Sequence, residues 1–583
     1  MKKLAVILIL IAYSALAIAQ AEVHGPNDPN FSMKCKTGQY IKYTITSKES
    51  PYTVIVNGIK GDTENVKKIE IPETVHYRNI DFAITAINKE AFSGISTLTS
   101  VIIPKTVKII RNGAFKDCSA LKSIKIGGII EQCGENVFTG TAITKPIYTG
   151  KNLVYYPSNM SEYKIDEGTE AILEYAFSDC KDLTSIVIPA SVKKVYANSF
   201  ANCDKLESIA VAEGNKTIDS RNNCNAIVIT NENKIIRGCK NSTIPNGIKT
   251  IARIAFANIG ISKIEIPNSV TTIEDSAFYN CELTTITIPE SVKEIGASAF
   301  IKNKKLAVVN FNASNCEAMN EKFPPFTQCQ SLTSVNFGDK VKVVPANSFM
   351  NCRELRYATL SNSVVEIGDR AFYECEMLSY LELPNSVEKV DDSCFYDSGI
   401  SEPVYSEIFF AYFPPNYDTV YSIPEGIKTI GKKSFHYAGN LKSLTMPNSV
   451  TIIEELAFGD CVELESIIIS KSIETFEYGA FGYCTKLNSI TLPNTLKTIE
   501  NNVFMGCFNL KNITIPNSVT EIRDLTFYDS GLKTITLPSS IKSISKSAFI
   551  QCIELKSIYI PKGTMSQFKS MLDPEYHSKL KEK

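Results

Sequence analysis

Apolar and polar positions follow one another along this chain in an order that keeps returning. Between Pro493 and Pro516, Ile499, Phe504, Cys507, Leu510, Ile513 and Ile515 stand apolar among polar neighbours, and the two prolines are 23 residues apart. The same order recurs one step back, from Pro447 to Ser470, and again forward at Pro538 and Pro561. Self-similarity at a fixed period is the signature of stacked units around a continuous core. One unit has too little apolar surface to stand alone, so its neighbours must cover it.

Within a unit, the apolar spacing changes twice. Leu510-x-x-Ile513-x-Ile515-Pro516 has a period of two and predicts a short strand ended by proline. Ala480-Phe481-x-x-Cys484-x-x-Leu487 recurs at i, i+3 and i+6 and predicts one short helical turn facing the same core. Ser449-Val450-x-x-Ile453 lies between them and predicts an extended link with two more inward side chains. A phenylalanine marks each coil from Phe92 to Phe549, most often in steps of 22 or 23 residues.

Three stretches break this rhythm, giving longer units near 139–166, 213–244 and 396–423. Pro146 to Pro157 and Pro403 to Pro414 are versions of one aromatic insert, and Cys224–Ile229 with Lys234–Cys239 read as two strands about a turn. All three are expected to be hairpins that replace the helical turn and project from one flank. Residues 20–65 lie before the first clear repeat and carry the alternation Tyr40-Ile41-Lys42-Tyr43-Thr44-Ile45 with an Asn57-Gly58 turn, which predicts an N-terminal β cap. The repeats then run over 66–561. Residues 562–583 predict a C-terminal helical cap, with Met565, Phe568, Met571 and Leu572 on one face and Thr564 and Gln567 as a capping box.

Composition narrows the function. Lys+Arg 61 against Asp+Glu 62 leaves a formal charge of −1 without a basic block, which argues against nucleic acid and against an electrostatic membrane binder. The opening MKKLAVILILIAYSALAIAQA has two lysines, an apolar run and small residues at Ala17 and Ala19. Residues 1–19 therefore read as a secretory signal peptide. The run is broken by Tyr13 and Ser14 and is short for a membrane span of about 20 residues. The expected location is secreted or at the cell surface, with no membrane span after cleavage.

Leu183-x-x-Ile186-x-Ile188-Pro189, followed by Ser191-Val192 and Ser199-Phe200-x-x-Cys203-x-x-Leu206, resembles the BspA-like (Treponema pallidum-type) leucine-rich repeat family. The resemblance implies an α/β repeat solenoid: a right-handed leucine-rich-repeat superhelix with a parallel concave β-sheet, short helical turns and, here, three hairpin-like inserts. It also implies a secreted or surface-exposed protein, since several members are regarded as adhesins for matrix proteins or other cells. The asparagine ladder of ordinary leucine-rich repeats is absent, and proline ends the strand instead.

Seventeen cysteines in an exported chain would suggest a disulfide framework. However, eleven of them, from Cys118 to Cys552, fall three residues after the marker phenylalanine, an inward position that suits a small core thiol. Cys224 and Cys239 are out of phase in facing strands and form the candidate disulfide. Catalysis has little support: the paired carboxylates Glu454-Glu455 and Asp391-Asp392 read as solvated surface, and no nucleophile, phosphate-loop or dinucleotide motif is present. A non-enzymatic chain without cofactor or metal is expected.

The residue before the first strand isoleucine points outward and is Ser or Thr in eleven units, among them Ser100, Ser123, Thr285, Ser466 and Ser557. Small residues suit a crowded parallel sheet, but the same row could also present hydroxyls to an extended protein or glycan. Tyr357 and Tyr380 interrupt the row in adjacent coils and Tyr559 lies near its end, which makes them candidate anchors. The insert aromatics Tyr405, Phe409, Phe410 and Tyr412 form a second candidate surface, unless they pack on the flank of the stack. The expected function is binding or adhesion to a protein or glycan, against the alternatives of a structural envelope scaffold or a glycan-binding accessory.

Overall fold

The computed structural model describes residues 29–583 apart from Asn159, Ser161 and Asp392, so the expected leader lies outside the described residues. The chain forms two compact units, Met1–Pro267 and Asn268–Lys583.

The first unit opens with an antiparallel meander of Asn30–Lys34, Tyr40–Ser47 and Thr53–Lys60. Thr53–Lys60 then runs parallel to Ile80–Ile87, which pairs with Ile109–Ile110 of the next coil. Phe31, Tyr43, Tyr77 and Phe82 fill this end, with Phe31 stacked 4.0 Å from Tyr77. In the coils, the outward-inward alternation makes the long strands. Ser100–Ile103 lies parallel between Lys68–Glu70 and Ser123–Ile126, and Ser185–Ile188 pairs with Ser208–Val211.

The second unit repeats the arrangement. Its long strands form three parallel sheets. One runs from Thr285–Ile288 through Val308–Phe311 and Ser334–Phe337 to Tyr357–Thr359. The next holds Val420–Ser422, Ser443–Thr445 and Ser466–Ile468. The last runs from Asn512–Thr514 through Thr534–Thr536 and Ser557–Ile560 to Leu580–Glu582. Two-residue strands such as Thr498–Ile499 and Glu521–Ile522 supply a second parallel ladder on the flank.

The segment expected to be a helical turn has a different backbone in nearly every coil. Around Phe504, Asn502 and Gly506 have φ of 62° and 70°, so two left-handed residues four apart interrupt any helix. Alternate amides point sideways: Asn502, Phe504 and Gly506 N–H donate to Asp524, Thr526 and Tyr528 carbonyls of the next coil at 3.1, 2.9 and 2.9 Å. The amides between them close β-turns, as when Met505 N–H donates to Asn502 at 3.1 Å. A turn ribbon of this kind gives each coil a third parallel ladder while still sending Phe504 and Cys507 inward. Ala197–Phe200 is the exception, forming a short 3₁₀ turn. The marker rings stack coil on coil, Phe504 lying 5.6 Å from Phe527 at an interplanar angle of 8°.

The inserts are hairpins, but they do not project freely. Ile147–Thr149 pairs antiparallel with Asn152–Tyr155, which then joins the flank ladder beside Ala171–Ile172. Val404–Tyr405 and Phe409–Tyr412 do the same beside Thr429–Ile430. Each hairpin is thus an additional coil, and its last residues enter the aromatic stack: Tyr156 lies 4.9 Å from Phe177 and Phe413 lies 4.8 Å from Phe435. In the third insert Ala226–Ile229 pairs antiparallel with Lys234–Gly238. Gly238 N–H donates to Ala255, as Tyr156 and Phe413 N–H donate to Ala176 and Ser434, which puts Arg237 in the place of Tyr155 and Tyr412. Arg237 is buried and donates to the Phe200 and Ala257 carbonyls at 3.1 and 3.4 Å.

At the end, the helix Met565–Met571 buries Phe568 and is followed by the 3₁₀ segment Pro574–Lys579 and the strand Leu580–Glu582. The expected capping box does not form: Thr564 Oγ1 donates back to Pro561 at 2.6 Å and Gln567 Nε2 donates to Ile541 at 2.8 Å. Both side chains tie the helix to the last coils rather than to its own N-terminus. No helix among the described residues is long and apolar enough to cross a membrane.

Candidate binding surface

The outward strand positions lie in register. Ser100 faces Ser123 and Ser185 faces Ser208 in the first unit. In the second, Thr285, Val308, Ser334 and Tyr357 form one row and Val420, Ser443 and Ser466 another, with a further bridge to Ser489. Part of this outward face satisfies itself. Ser466 Oγ donates to Ser443 Oγ at 3.1 Å, Thr534 Oγ1 to Asn512 Oδ1 at 2.7 Å, and Asn336 Nδ2 to Asn310 Oδ1 at 3.0 Å. Those contacts favour the sheet-packing reading for much of the row. The face also carries exposed apolar side chains that the spacing rule did not single out: Val187, Val420 and Ile468.

Tyr357 and Tyr380 are the most exposed tyrosines among the described residues, at 66% and 63%. Strand pairing stops at Tyr357–Thr359, and the coil carrying Tyr380 has no strand there. A hollow of about 320 Å³ opens at this break, lined by both rings with Thr359, Asn362, Glu382 and Pro384. The two tyrosines singled out from sequence therefore line one hollow, with amide, hydroxyl and carboxylate groups beside the rings.

Tyr559 stands elsewhere. The terminal strand Leu580–Glu582 covers its coil, Lys583 Nζ lies 5.4 Å over its ring, and Ser557 is buried beneath Lys581. The insert candidates divide. Phe409 and Phe410 are core residues, because the hairpin joins the stack and Phe410 packs 4.7 Å from Phe435. Tyr412 is half-buried, and burial pushes its hydroxyl up to about 12. Tyr405 remains exposed on one side, stacked 5.7 Å from Phe410.

All but one of the seventeen cysteines are buried, Cys316 being the exception. The recurring ones have a specific partner. Cys118, Cys461, Cys484 and Cys507 donate Sγ–H to the marker phenylalanine carbonyl of the preceding coil, at 3.0, 3.0, 3.2 and 3.2 Å. Asn303 holds the same place and donates to Phe278 at 2.7 Å, whereas Ile95, Ile259 and Ala438 fill it without a side-chain donor. Burial pushes Cys507 and Cys329 up to about 12, which removes the reactive thiolate at neutral pH. Cys224 and Cys239, the candidate bridge, are not bonded to each other; their thiols donate to the Ala226 and Asn225 carbonyls at 3.6 and 3.2 Å.

The carboxylate pairs take structural roles where they are described. Glu454 Oε2 accepts from Lys432 N–H at 2.8 Å and burial raises its carboxyl, so it is not the solvated residue expected, while Glu455 pairs with Lys432 Nζ at 3.1 Å. Asp391 pairs with Lys389 at 2.8 Å, and Asp392 lies outside the described residues. Among the described residues no group of three His, Cys, Asp or Glu could hold a metal.

A stack of parallel coils with a polar, in-register outer face defines a leucine-rich repeat scaffold. The BspA type leucine-rich repeat model matches in six copies, spanning residues 60–153, 148–237, 232–352, 322–410, 407–530 and 477–573, and the chain belongs to that family. No curated protein matches it. Among solved structures, a leucine-rich repeat protein from Eubacterium ventriosum is 23% identical over 63% of this chain and 95% of its own, with a TM-score of 0.42. A leucine-rich repeat protein from Bacteroides ovatus is 21% identical over 93% of this chain and 98% of its own, with a TM-score of 0.34. A leucine rich cell surface protein from Faecalibacterium prausnitzii is 20% identical over 93% and 97%, with a TM-score of 0.23.

Proposed function

We propose that this chain is an exported, non-enzymatic adhesion protein that holds an extended partner on its outward strand face, with Tyr357 and Tyr380 as anchors. The observation that carries this reading is the pairing of two rings, each about two-thirds exposed, on adjacent coils around one hollow. Aromatic side chains are expensive to leave in water and are the residues that dominate binding when a partner covers them. The polar neighbours Thr359, Asn362 and Glu382 supply hydrogen bonds that fix orientation. The regular, hydrogen-bonded coils keep the anchors at a fixed spacing, so little ordering is required on binding.

Capture of the intact chain on immobilised extracellular-matrix proteins and polysaccharides tests this reading. Saturable binding to a matrix component supports it. Failure to bind any of them, together with altered envelope integrity on removal of the protein, would replace it with the structural-scaffold reading.

A further inference from the structure

The insert at residues 403–414 leaves a gap in the turn ribbon of the second unit. In the coil before it the ribbon ladder is made through Phe372 and Glu374 N–H, which donate to Cys394 and Tyr396 at 3.1 and 2.9 Å. The insert carries the ladder on through Phe413 N–H, which donates to Ser434 at 2.7 Å. Pro414 and Pro415 follow and have no N–H to give. A hollow of about 250 Å³ opens at this place, with Tyr396, Tyr412 and Tyr437 in its walls and Asp391, Lys432 and His436 among its polar residues.

Two residues after the marker phenylalanine the backbone is left-handed; most coils place glycine or a polar residue there, such as Asn280, Asp460, Gly506 or Asp529, and Tyr437 shares the position with Tyr483. Tyr437 accepts φ of 60°, at a cost of about 1–2 kcal/mol, and keeps its ring 54% exposed. Tyr396 is also about half exposed. The polar groups here are held in place by neighbours: Lys432 Nζ by Glu455 at 3.1 Å, His436 Nε2 by Asp460 at 3.2 Å, and Asp391 by Lys389 at 2.8 Å. Such a rim offers oriented donors and acceptors. Exposed aromatic faces are negative at their centres and attract the weakly positive C–H face of a sugar ring. The volume falls just below the ~300–1,000 Å³ of ordinary ligand sites, which suits a single ring.

We propose that this hollow binds one neutral pyranose residue of a glycan, its C–H face against Tyr437 and Tyr396 and its hydroxyls bonded by Asp391, Lys432 and His436. The site lies on the turn ribbon and is independent of the strand-face anchors. Saturation-transfer NMR on the intact chain, with glucose, galactose, mannose and N-acetylglucosamine as probes, tests it. Tyr437→Asn removes the ring and installs a residue suited to the left-handed backbone, so the variant should melt no lower than wild type. The expected result is transfer to at least one of these sugars, reduced tenfold or more in Tyr437→Asn and in Tyr396→Ala, and unchanged in Tyr357→Ala/Tyr380→Ala. The proposal is overturned by no transfer to any of the four, by undiminished transfer in Tyr437→Asn, or by tighter binding of glucuronate than of the neutral sugars.

Discussion

Replacing Cys507 separates two accounts of the recurring cysteine. As a filler, it could be exchanged for valine, which is apolar and similar in volume. As a donor, it could not. Cys507 is fully buried and its Sγ–H reaches the Phe481 carbonyl at 3.2 Å, while Cys484 N–H reaches the same oxygen at 3.3 Å. The carbonyl keeps one donor when the thiol is lost, so the loss is the net worth of a hydrogen bond, about 0.5–1.5 kcal/mol, rather than that of an orphaned buried group. Cys507→Val should therefore destabilise by about 1 kcal/mol. Cys507→Ala adds a cavity and should lose about 2 kcal/mol. Urea unfolding followed by circular dichroism gives the difference, provided the slope with urea is unchanged. Because repeat stability is a sum of local terms, amide exchange should quicken in the coils around Phe481 and Phe504 first. A valine variant as stable as wild type would refute the donor role.

Three further outcomes follow from burial and backbone geometry. At pH 8 the native chain should resist alkylation, because burial raises thiols such as Cys507 and Cys316 to about 12 and leaves about one thiolate in ten thousand; after denaturation all seventeen should react, and a count of fifteen would reveal one disulfide, for which Cys224 and Cys239 are the candidates. Ile254→Asn should raise stability by about 1 kcal/mol in thermal melts, since a β-branched residue at φ of 55° is strained and its side chain is only partly buried. Burial raises the Glu454 carboxyl, so its protonated form suits the fold and its destabilising effect sets in as pH rises through the ordinary carboxylate range. Glu454→Gln should accordingly raise the melting temperature at pH 7 and leave it nearly unchanged at pH 4.

Much of the fold was legible because packing imposes a strict period. Ile513 is buried between exposed Asn512 and Thr514, as the alternation required, and the marker rings stack coil on coil. The turn ribbon is not told from a helical turn by the apolar spacing, because Phe481, Cys484 and Leu487 have the same i, i+3 spacing in a helical turn and in linked β-turns. The distinguishing signal lay in the polar residues between them: Asp117, Asn202, Asn280 and Gly506 share one left-handed position. For Phe409 and Phe410 the sequence leaves both a surface patch and packing on the stack open, and the second strand of their insert decides it by completing a coil and burying both. The exposure of the strand-face tyrosines was legible because their phase places them outward. The hollow beside Tyr437 was not, since it depends on which ladder bonds an insert leaves unmade.

The central claim is that Tyr357 and Tyr380 anchor a partner on the strand face. The direct measurement is the equilibrium affinity of wild type and of Tyr357→Ala/Tyr380→Ala for the matrix component that captures the intact chain. Both rings are exposed, so the melting temperature should not move. Two aromatic anchors of about 2 kcal/mol each should lower the affinity by about 100-fold or more. An unchanged affinity in the double variant would contradict the account.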